Sequence, residues 1–198
     1  METKPFTEGN YFHIYNRGIN GENIFKEEAN YYYFLQQYKK YCVDIFETYS
    51  YALLKNHFHL FVYVKENVIV NRDDGKGEIK LNASKQLSHF FNSYAQSINK
   101  SYQRTGSLFE SPFERKLVDN DKYFTSMIYY CHYNAQLHQM IEGSFKNWPF
   151  SSYHAIIEND NNIVAADKVL QWFGRKDAFI KQHDERYENR KFINLEIE

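Results

Sequence analysis

The amino-acid sequence predicts an α+β fold in which an antiparallel sheet packs against helices. Some segments have alternating or continuous apolar residues, which is typical of strands, and others have apolar residues three and four positions apart, which is typical of amphipathic helices. Clusters of Gly, Asn, Asp and Ser separate these segments. Their order is β-α-β-β-α-β, with one more helix behind it. This order is that of the ferredoxin-like split β-α-β arrangement, an antiparallel sheet with helices on one face.

The first part of the chain is predicted to contain three strands and one helix. A β-prone segment that ends at Gly18 predicts the first strand. Aromatic residues at helical spacing, including Phe34 and Tyr38, predict the helix. Lys55 and Asn56 have the length of a hairpin loop between the next two strands. The predicted elements are a strand at 11–17, a helix at 27–42, strands at 45–54 and 57–64, and a mobile loop at 65–83.

The second part of the chain is predicted to add two helices, a strand and a C-terminal extension. Leu87, Phe90 and Tyr94 mark the buried stripe of the first helix. Asp119 or Asn120 is expected to cap the second. The predicted elements are a helix at 84–102, a strand within 108–118, a helix at 121–140, and extension helices near 166–173 and 176–191.

The composition is that of a globular chain. Its 198 residues are 43% hydrophobic and 19% aromatic, which is enough to bury a core and excludes a disordered chain. We expect one domain over residues 1–145, with residues 146–198 as a helical extension packed on the same domain. No apolar run approaches the roughly 20 residues of a membrane span, and no apolar leader follows Met1. Two cysteines cannot build a disulfide framework, so a cytoplasmic protein is predicted.

The charge pattern allows a local anion site but does not demand one. The formal net charge is −1, whereas proteins dedicated to duplex DNA are usually basic. Between Lys85 and Lys122 there are six basic and four acidic residues, so this segment has a small positive excess.

The triplet His57-Phe58-His59 is the most informative short motif. Side chains two apart on a strand point to the same face, so the two imidazoles are expected to lie side by side while Phe58 faces the core. Neutral imidazole is the commonest metal ligand, and such a pair is able to chelate one divalent ion. The alternative is two unrelated histidines on a solvent-facing strand.

Tyr130 and Asn134 lie four residues apart on a predicted helix and therefore share a face. A phenol is able to attack phosphorus, and an amide oxygen is able to complete a metal site that has two histidine ligands. The alternative is that Tyr130 is one of many aromatic core residues, since the chain contains 18 tyrosines.

Five segments together resemble the single-tyrosine HUH transposases, in particular the REP-associated tyrosine transposase branch. In order along the chain they are FHIYNRGINGENIF (12–25), YALLKNHFHLFV (51–62), RTGSLFESPFERK (104–116), YYCHYNA (129–135) and WPFSSY (148–153). The sequence departs from the usual family pattern at Cys131 and Ala135, where the family usually has Ile and Pro.

The resemblance implies a ferredoxin-like, metal-dependent endonuclease and strand transferase that acts on single-stranded or hairpin DNA. It assigns the metal ligands to His57, His59 and Asn134 and the nucleophile to Tyr130, which would form a 5′-phosphotyrosine intermediate. The expected metal is Mg²⁺ or Mn²⁺, with Zn²⁺ left open. No membrane partner is expected, and the chain is expected to be a monomer or a homodimer.

Substrate binding calls for cations at the phosphates and a flat ring under an unpaired base. The candidate residues are Arg17, Lys100, Arg104, Arg115, Lys116 and Tyr102. Two alternatives stay open at this point. One is a catalytically inactive relative that only binds DNA or RNA hairpins, and the other is a metal-dependent phosphodiesterase in which water is the nucleophile.

Overall fold

A computed structural model describes residues 5–72, 75, 77–120 and 123–188 of the chain. Within these residues there are six strands and six α-helices. In chain order they are β1 (Tyr11–Arg17), α1 (Glu28–Cys42), β2 (Phe46–Leu53), β3 (His57–Val64), β4 (Ile69–Asn71), β5 (Glu78–Lys80), α2 (Ala83–Ser101), β6 (Glu114–Val118), α3 (Phe124–Leu137), α4 (Tyr153–Ile157), α5 (Ala166–Trp172) and α6 (Lys176–Glu188).

Four of the strands form one sheet in the order β2-β3-β1-β6, and every neighbouring pair is antiparallel. The two central strands, β1 and β3, are separated along the chain by α1 and β2, as the predicted β-α-β-β-α-β order requires. The predicted fold class is thereby confirmed. The strands β4 and β5 form a separate hairpin.

One face of the sheet packs on α1 and α2 through aromatic rings. Phe58 lies 5.0 Å from Phe34 of α1 and 5.6 Å from Phe91 of α2, measured between ring centroids. Phe12 and Ile14 of β1 are buried on the same side. Burying each such side chain stabilises the fold by about 1.5–3 kcal/mol. This face follows the predicted alternation of apolar residues.

The opposite face is also covered, whereas the sequence led us to expect helices on one face. Phe124 of α3 lies 4.2 Å from the Tyr11 ring and 5.5 Å from the Phe61 ring. Trp172 of α5 stacks on Tyr49 at 4.4 Å. The histidines of β3 therefore lie beneath α3 rather than on an open surface.

The structure corrects one predicted element and narrows the bounds of two others. Residues 65–83, expected to be a loop, contain the β4–β5 hairpin. The strand expected within 108–118 begins only at Glu114. The helix α3 begins at Phe124 and ends at Leu137, and its N-cap position is occupied by Tyr123 rather than by Asp119 or Asn120. Asp121 and Lys122, at the predicted start of this helix, lie outside the described residues.

The segment after α3 is attached to β2. The Trp148 indole nitrogen donates to the Leu53 carbonyl oxygen at 2.9 Å, and Phe150 stacks on Tyr31 of α1 at 3.9 Å. Val164 forms a bridge with Thr48. The helix predicted at 176–191 begins at Lys176 and is described to Glu188. Across the described ranges, none of the helices has the length and apolarity to cross a bilayer.

Candidate active site

The covered face of the sheet brings three histidines together. In the pairing of β1 with β3, Tyr15 lies opposite His59 and Arg17 lies opposite His57. His13 shares this face because it precedes Tyr15 by two residues. The ring centroids of His57 and His59 are 5.2 Å apart, so the two imidazoles are neighbours, as the strand alternation predicts.

His59 is held in place by His13. The two rings are stacked at 5.2 Å, and His13 Nε2 lies 3.0 Å from His59 Nδ1. Both side chains are buried, with exposures of 0% and 6%. Among the described residues, His59 Nε2 has no hydrogen-bond partner. If His59 Nδ1 donates to His13, the Nε2 atom carries a free lone pair, which is the arrangement of a metal-binding histidine and its orienting neighbour.

His57 is oriented in a similar way by its chain neighbour. Its Nδ1 lies 2.7 Å from the side-chain oxygen of Asn56. An amide oxygen only accepts hydrogen bonds, so Nδ1 carries the proton and Nε2 carries the lone pair.

Both histidines are neutral at physiological pH. Burial lowers the pKa of His57 to about 4, with smaller effects from His138 and Arg17. Burial also holds the pKa of His59 well below its ordinary value, and the neighbouring histidines add to the effect. Neutral imidazole is the form that binds metal ions.

The helix α3 places Tyr130 against this pair. The Tyr130 ring lies 5.5 Å from the His59 ring and 5.8 Å from the His13 ring, in edge-on contacts. Asn134 is fully buried and donates from its amide nitrogen to the Tyr130 carbonyl oxygen at 2.7 Å. Its Oδ1 atom has no hydrogen-bond partner within the described part of the chain.

A cavity of about 540 Å³ opens beside these residues. It is lined by Tyr15, Asn16, Arg17, Asn56, His57, Phe58, His59, Glu110, Glu114, Tyr130 and His138. The two predicted histidine ligands and the predicted nucleophile thus meet at one cavity. Asn134 is not among the lining residues, and its amide is bonded to the Tyr130 carbonyl oxygen.

Several cavity residues were not predicted from the sequence. His138 packs edge-on against His57 at 4.4 Å. It continues the four-residue spacing of Tyr130 and Asn134 along the helix, a pattern that was available in the sequence. No sequence pattern indicated that Glu110 and Glu114 line the cavity. Glu114 comes opposite Tyr15 only through the pairing of β6 with β1.

The donor atoms of His57, His59 and Asn134 are of the kinds that a divalent ion binds, although only the two histidines line the cavity. The His59 Nε2 and Asn134 Oδ1 atoms are buried without partners among the described residues, as unfilled ligand atoms would be. Two imidazoles and one amide oxygen leave coordination positions for water and a phosphate oxygen. No cluster of three or more His, Cys, Asp or Glu side chains suited to a metal ion is found in the described ranges. The predicted site contains only two such side chains.

Of the predicted DNA-binding residues, Arg17 and Lys116 lie on the histidine face. Arg17 forms an ion pair with Glu110 at 2.8 Å and is largely exposed. Lys116 lies opposite His13 in the sheet, and its amine is 6.0 Å from the centre of the Tyr15 ring.

The other four candidates lie away from the cavity. Arg115 lies opposite Ile14, on the face toward α1 and α2, where its guanidinium covers the ring of Phe6 at 4.9 Å. Arg104 is bound by Asn99 and by an ion pair with Glu22. The Tyr102 hydroxyl donates to Glu27 at 2.7 Å, and Lys100 is exposed in the last turn of α2.

Comparison with known proteins finds a similar sequence. A Haemophilus influenzae protein named as a REP-associated tyrosine transposase is 28% identical over 151 residues, which cover 75% of this chain and 79% of that protein. The chain is therefore similar in sequence to a protein named as a REP-associated tyrosine transposase. No family model matches it.

A solved structure shares the fold. A solved REP-associated tyrosine transposase, bound to a REP hairpin, superposes with a TM-score of 0.60 at 12% identity, covering 84% of this chain and 89% of that chain. The fold is therefore shared with a tyrosine transposase, and the predicted resemblance is confirmed.

Proposed function

We propose that the chain is a metal-dependent endonuclease and strand transferase for single-stranded DNA next to a hairpin, with Tyr130 as its nucleophile. The observation that carries this proposal is the packing of Tyr130 on His59, in a cavity that Tyr130, His57 and His59 all line. The hairpin as substrate is supported by the solved relative, which is bound to a REP hairpin.

In the proposed reaction, the Tyr130 oxygen attacks a backbone phosphorus and displaces the 3′-oxygen. The phenol loses its proton as the new P–O bond forms, and the departing 3′-oxygen gains one, which leaves a 5′-phosphotyrosine and a 3′-hydroxyl. The ordinary pKa of tyrosine, near 10, makes this group a weak nucleophile without help. A later attack by a 3′-hydroxyl on the phosphotyrosine would rejoin DNA without an external energy source.

The chain's own residues orient both partners of this reaction. His57, His59 and Asn134 would hold a Mg²⁺ or Mn²⁺ ion, which supplies charge neutralisation at the phosphate oxygens. His13 and Asn56 fix the rings of the two histidines. Arg17 lies at the cavity edge, where exchange of Glu110 for a DNA phosphate would bring the substrate to Tyr130.

The test is transfer of labelled DNA to the protein. A stem-loop with a randomised single-stranded flank is incubated with the chain and Mn²⁺, and the products are separated under denaturing conditions. The parent chain is expected to form a protein-linked product, and Tyr130→Phe is expected to form none while still binding the stem-loop. Tyr133→Phe, on the same helix, is the matched control and should keep the activity. Cleavage by the Tyr130→Phe variant at the parental rate would instead favour water as the nucleophile.

A second candidate function is hairpin binding without cleavage. Glu110 and Glu114 line the cavity and oppose the approach of phosphate, and Arg17 is paired with one of them. A chain of this kind would bind the stem-loop with or without Mn²⁺ and would give no protein-linked product.

A further inference from the structure

A second histidine pair lies on the other side of α3, outside the cavity. His132 Nδ1 is 3.0 Å from His183 Nε2 of α6, and His132 Nε2 is 2.8 Å from the Ser152 hydroxyl. All three side chains are fully buried. The chemistry proposed above uses none of them.

The hydrogen-bond directions at both rings follow from a partner that only accepts. His183 Nδ1 lies 2.9 Å from the Phe179 carbonyl oxygen, which only accepts, so Nδ1 donates and Nε2 accepts. His132 therefore donates from Nδ1 and accepts at Nε2 from Ser152. The Ser152 oxygen in turn accepts from the backbone N–H of Tyr51 at 3.0 Å. The Ser152 hydroxyl also lies 3.4 Å from the Tyr51 carbonyl oxygen, which is farther than the 2.8 Å that separates it from His132 Nε2. Both rings are neutral, and neither has an unused nitrogen.

These bonds join four parts of the fold. Tyr51 belongs to β2, Ser152 to the WPFSSY segment, His132 to α3, and Phe179 with His183 to α6. A helix turns by about 200° over two residues, so His132 points away from the side that carries Tyr130 and Asn134. The hydrogen bonds therefore hold α3 on the side opposite to Tyr130 and Asn134.

Two further contacts fix α3 to α6. The Arg186 guanidinium donates to the Thr125 carbonyl oxygen at 3.1 Å, and Gln136 donates to the Tyr187 hydroxyl at 3.2 Å. Together with His183, these residues contact α3 near its start, its middle and its end. Such a spread of contacts restricts both rotation and sliding of the helix.

We propose that His132 and His183 are positioning residues, which hold the Tyr130–Asn134 side of α3 against His57 and His59. The C-terminal helix α6 is in this view part of the catalytic apparatus. The expected effect on catalysis rests on the proposed function. The expected effect on the position of α3 rests only on the hydrogen bonds described above.

The test compares His183→Leu with His183→Gln in the full-length chain. The Gln side chain keeps an oxygen acceptor for His132, and the Leu side chain removes it. His183→Leu is expected to slow formation of the protein-linked product at least tenfold under single-turnover conditions. Its dissociation constant for the stem-loop should stay within twofold of the parental value, because α6 does not line the cavity. His183→Gln is expected to recover most of the rate.

A second measurement does not depend on activity. Hydrogen exchange at the α3 amides should be faster in His183→Leu than in the parent or in His183→Gln, and affinity for Mn²⁺ should fall as Asn134 is displaced. If His183→Leu does not fold, Ser152→Ala takes its place. It removes the hydroxyl that donates to His132 and accepts from the Tyr51 N–H, and the same results are expected. Parental cleavage and parental exchange in the folded variant would overturn the proposal. If the parent forms no protein-linked product, the proposed function fails, and exchange and Mn²⁺ affinity alone decide whether α3 is held this way.

Discussion

Two buried histidine pairs in this chain have nearly the same geometry and different hydrogen bonding. In each pair the ring centroids are 5.2 Å apart and the closest ring nitrogens are 3.0 Å apart. The pair of His13 and His59 leaves one nitrogen on each ring without a partner among the described residues. The pair of His132 and His183 uses all four of its nitrogens.

This difference is the one expected between the proposed metal site and a structural contact. A buried polar atom without a partner costs about 1–3 kcal/mol, so such atoms remain where a ligand or a reaction uses them. Burial alone does not distinguish the two pairs, because all four rings are buried. The first pair is called the open pair below and the second the closed pair.

Replacing His59 in the open pair should have the largest effect. His59→Ala removes a ring nitrogen that is proposed to hold the metal, so Mn²⁺-dependent formation of the protein-linked product should fall by about a thousandfold or more. Gel analysis of the product and titration of Mn²⁺ by calorimetry measure the two effects. A variant that binds Mn²⁺ as the parent does would show that the open pair is not a metal site.

His13 should contribute less, because it acts through His59. His13→Leu removes the atom that orients His59 Nδ1 and is expected to weaken Mn²⁺ binding by about 10–100-fold. His13→Gln keeps an acceptor oxygen and should lose less affinity. Equal losses in the two variants would argue that His13 matters for packing alone.

The fold was largely readable from the sequence because its signals are local. Alternation in β3 and helical spacing in α1 and α2 each depend on neighbouring residues. The β4–β5 hairpin was missed because its strands are three residues long, too short to show a period. The second covered face was missed because α3 and α5 reach the sheet only through tertiary packing.

The site was readable only in part. His57, His59, Tyr130 and Asn134 belong to short-range motifs, and the structure brings Tyr130 to the two histidines. His13 lies 46 residues from His59, and its contact with that ring follows from the pairing of β1 with β3, which no short motif encodes. Whether Arg115 or Lys116 lies on the histidine face depends in the same way on the register of β6.

The two pairs should lower the free energy of unfolding at acid pH by similar amounts. Burial lowers the pKa of His13 and of His183 to about 3, whereas an unfolded histidine titrates near 6.5. Between these values the unfolded chain binds more protons, so the free energy of unfolding falls as pH falls from about 6.5 toward 3. Each ring contributes up to about 1.4 kcal/mol per pH unit.

Urea unfolding at pH 7.0, 5.5 and 4.5 checks this expectation. Both His13→Gln and His183→Gln should show a smaller loss of stability per pH unit than the parent chain, by similar amounts. If the loss of stability per pH unit became smaller in only one of the two variants, burial alone would not explain the acid sensitivity. Hydrogen bonding would then set the acid sensitivity of the pair whose variant did not change.

The smallest effect is expected from the lysine beside each pair. Lys116 acts electrostatically on His13, and Lys146 acts on His183 while it pairs with Asp184. If only the open pair faces DNA, Lys116→Ala should weaken stem-loop binding a few-fold and lower the salt dependence by about one phosphate contact. Lys146→Ala should leave the dissociation constant within error, because its amine is held by the C-terminal helix. The two dissociation constants, measured at three salt concentrations, therefore report which side of α3 the nucleic acid contacts. A larger change of the dissociation constant in the Lys146 variant would indicate that the DNA contacts the side of the closed pair. That result would contradict the assignment of the cavity as the DNA site.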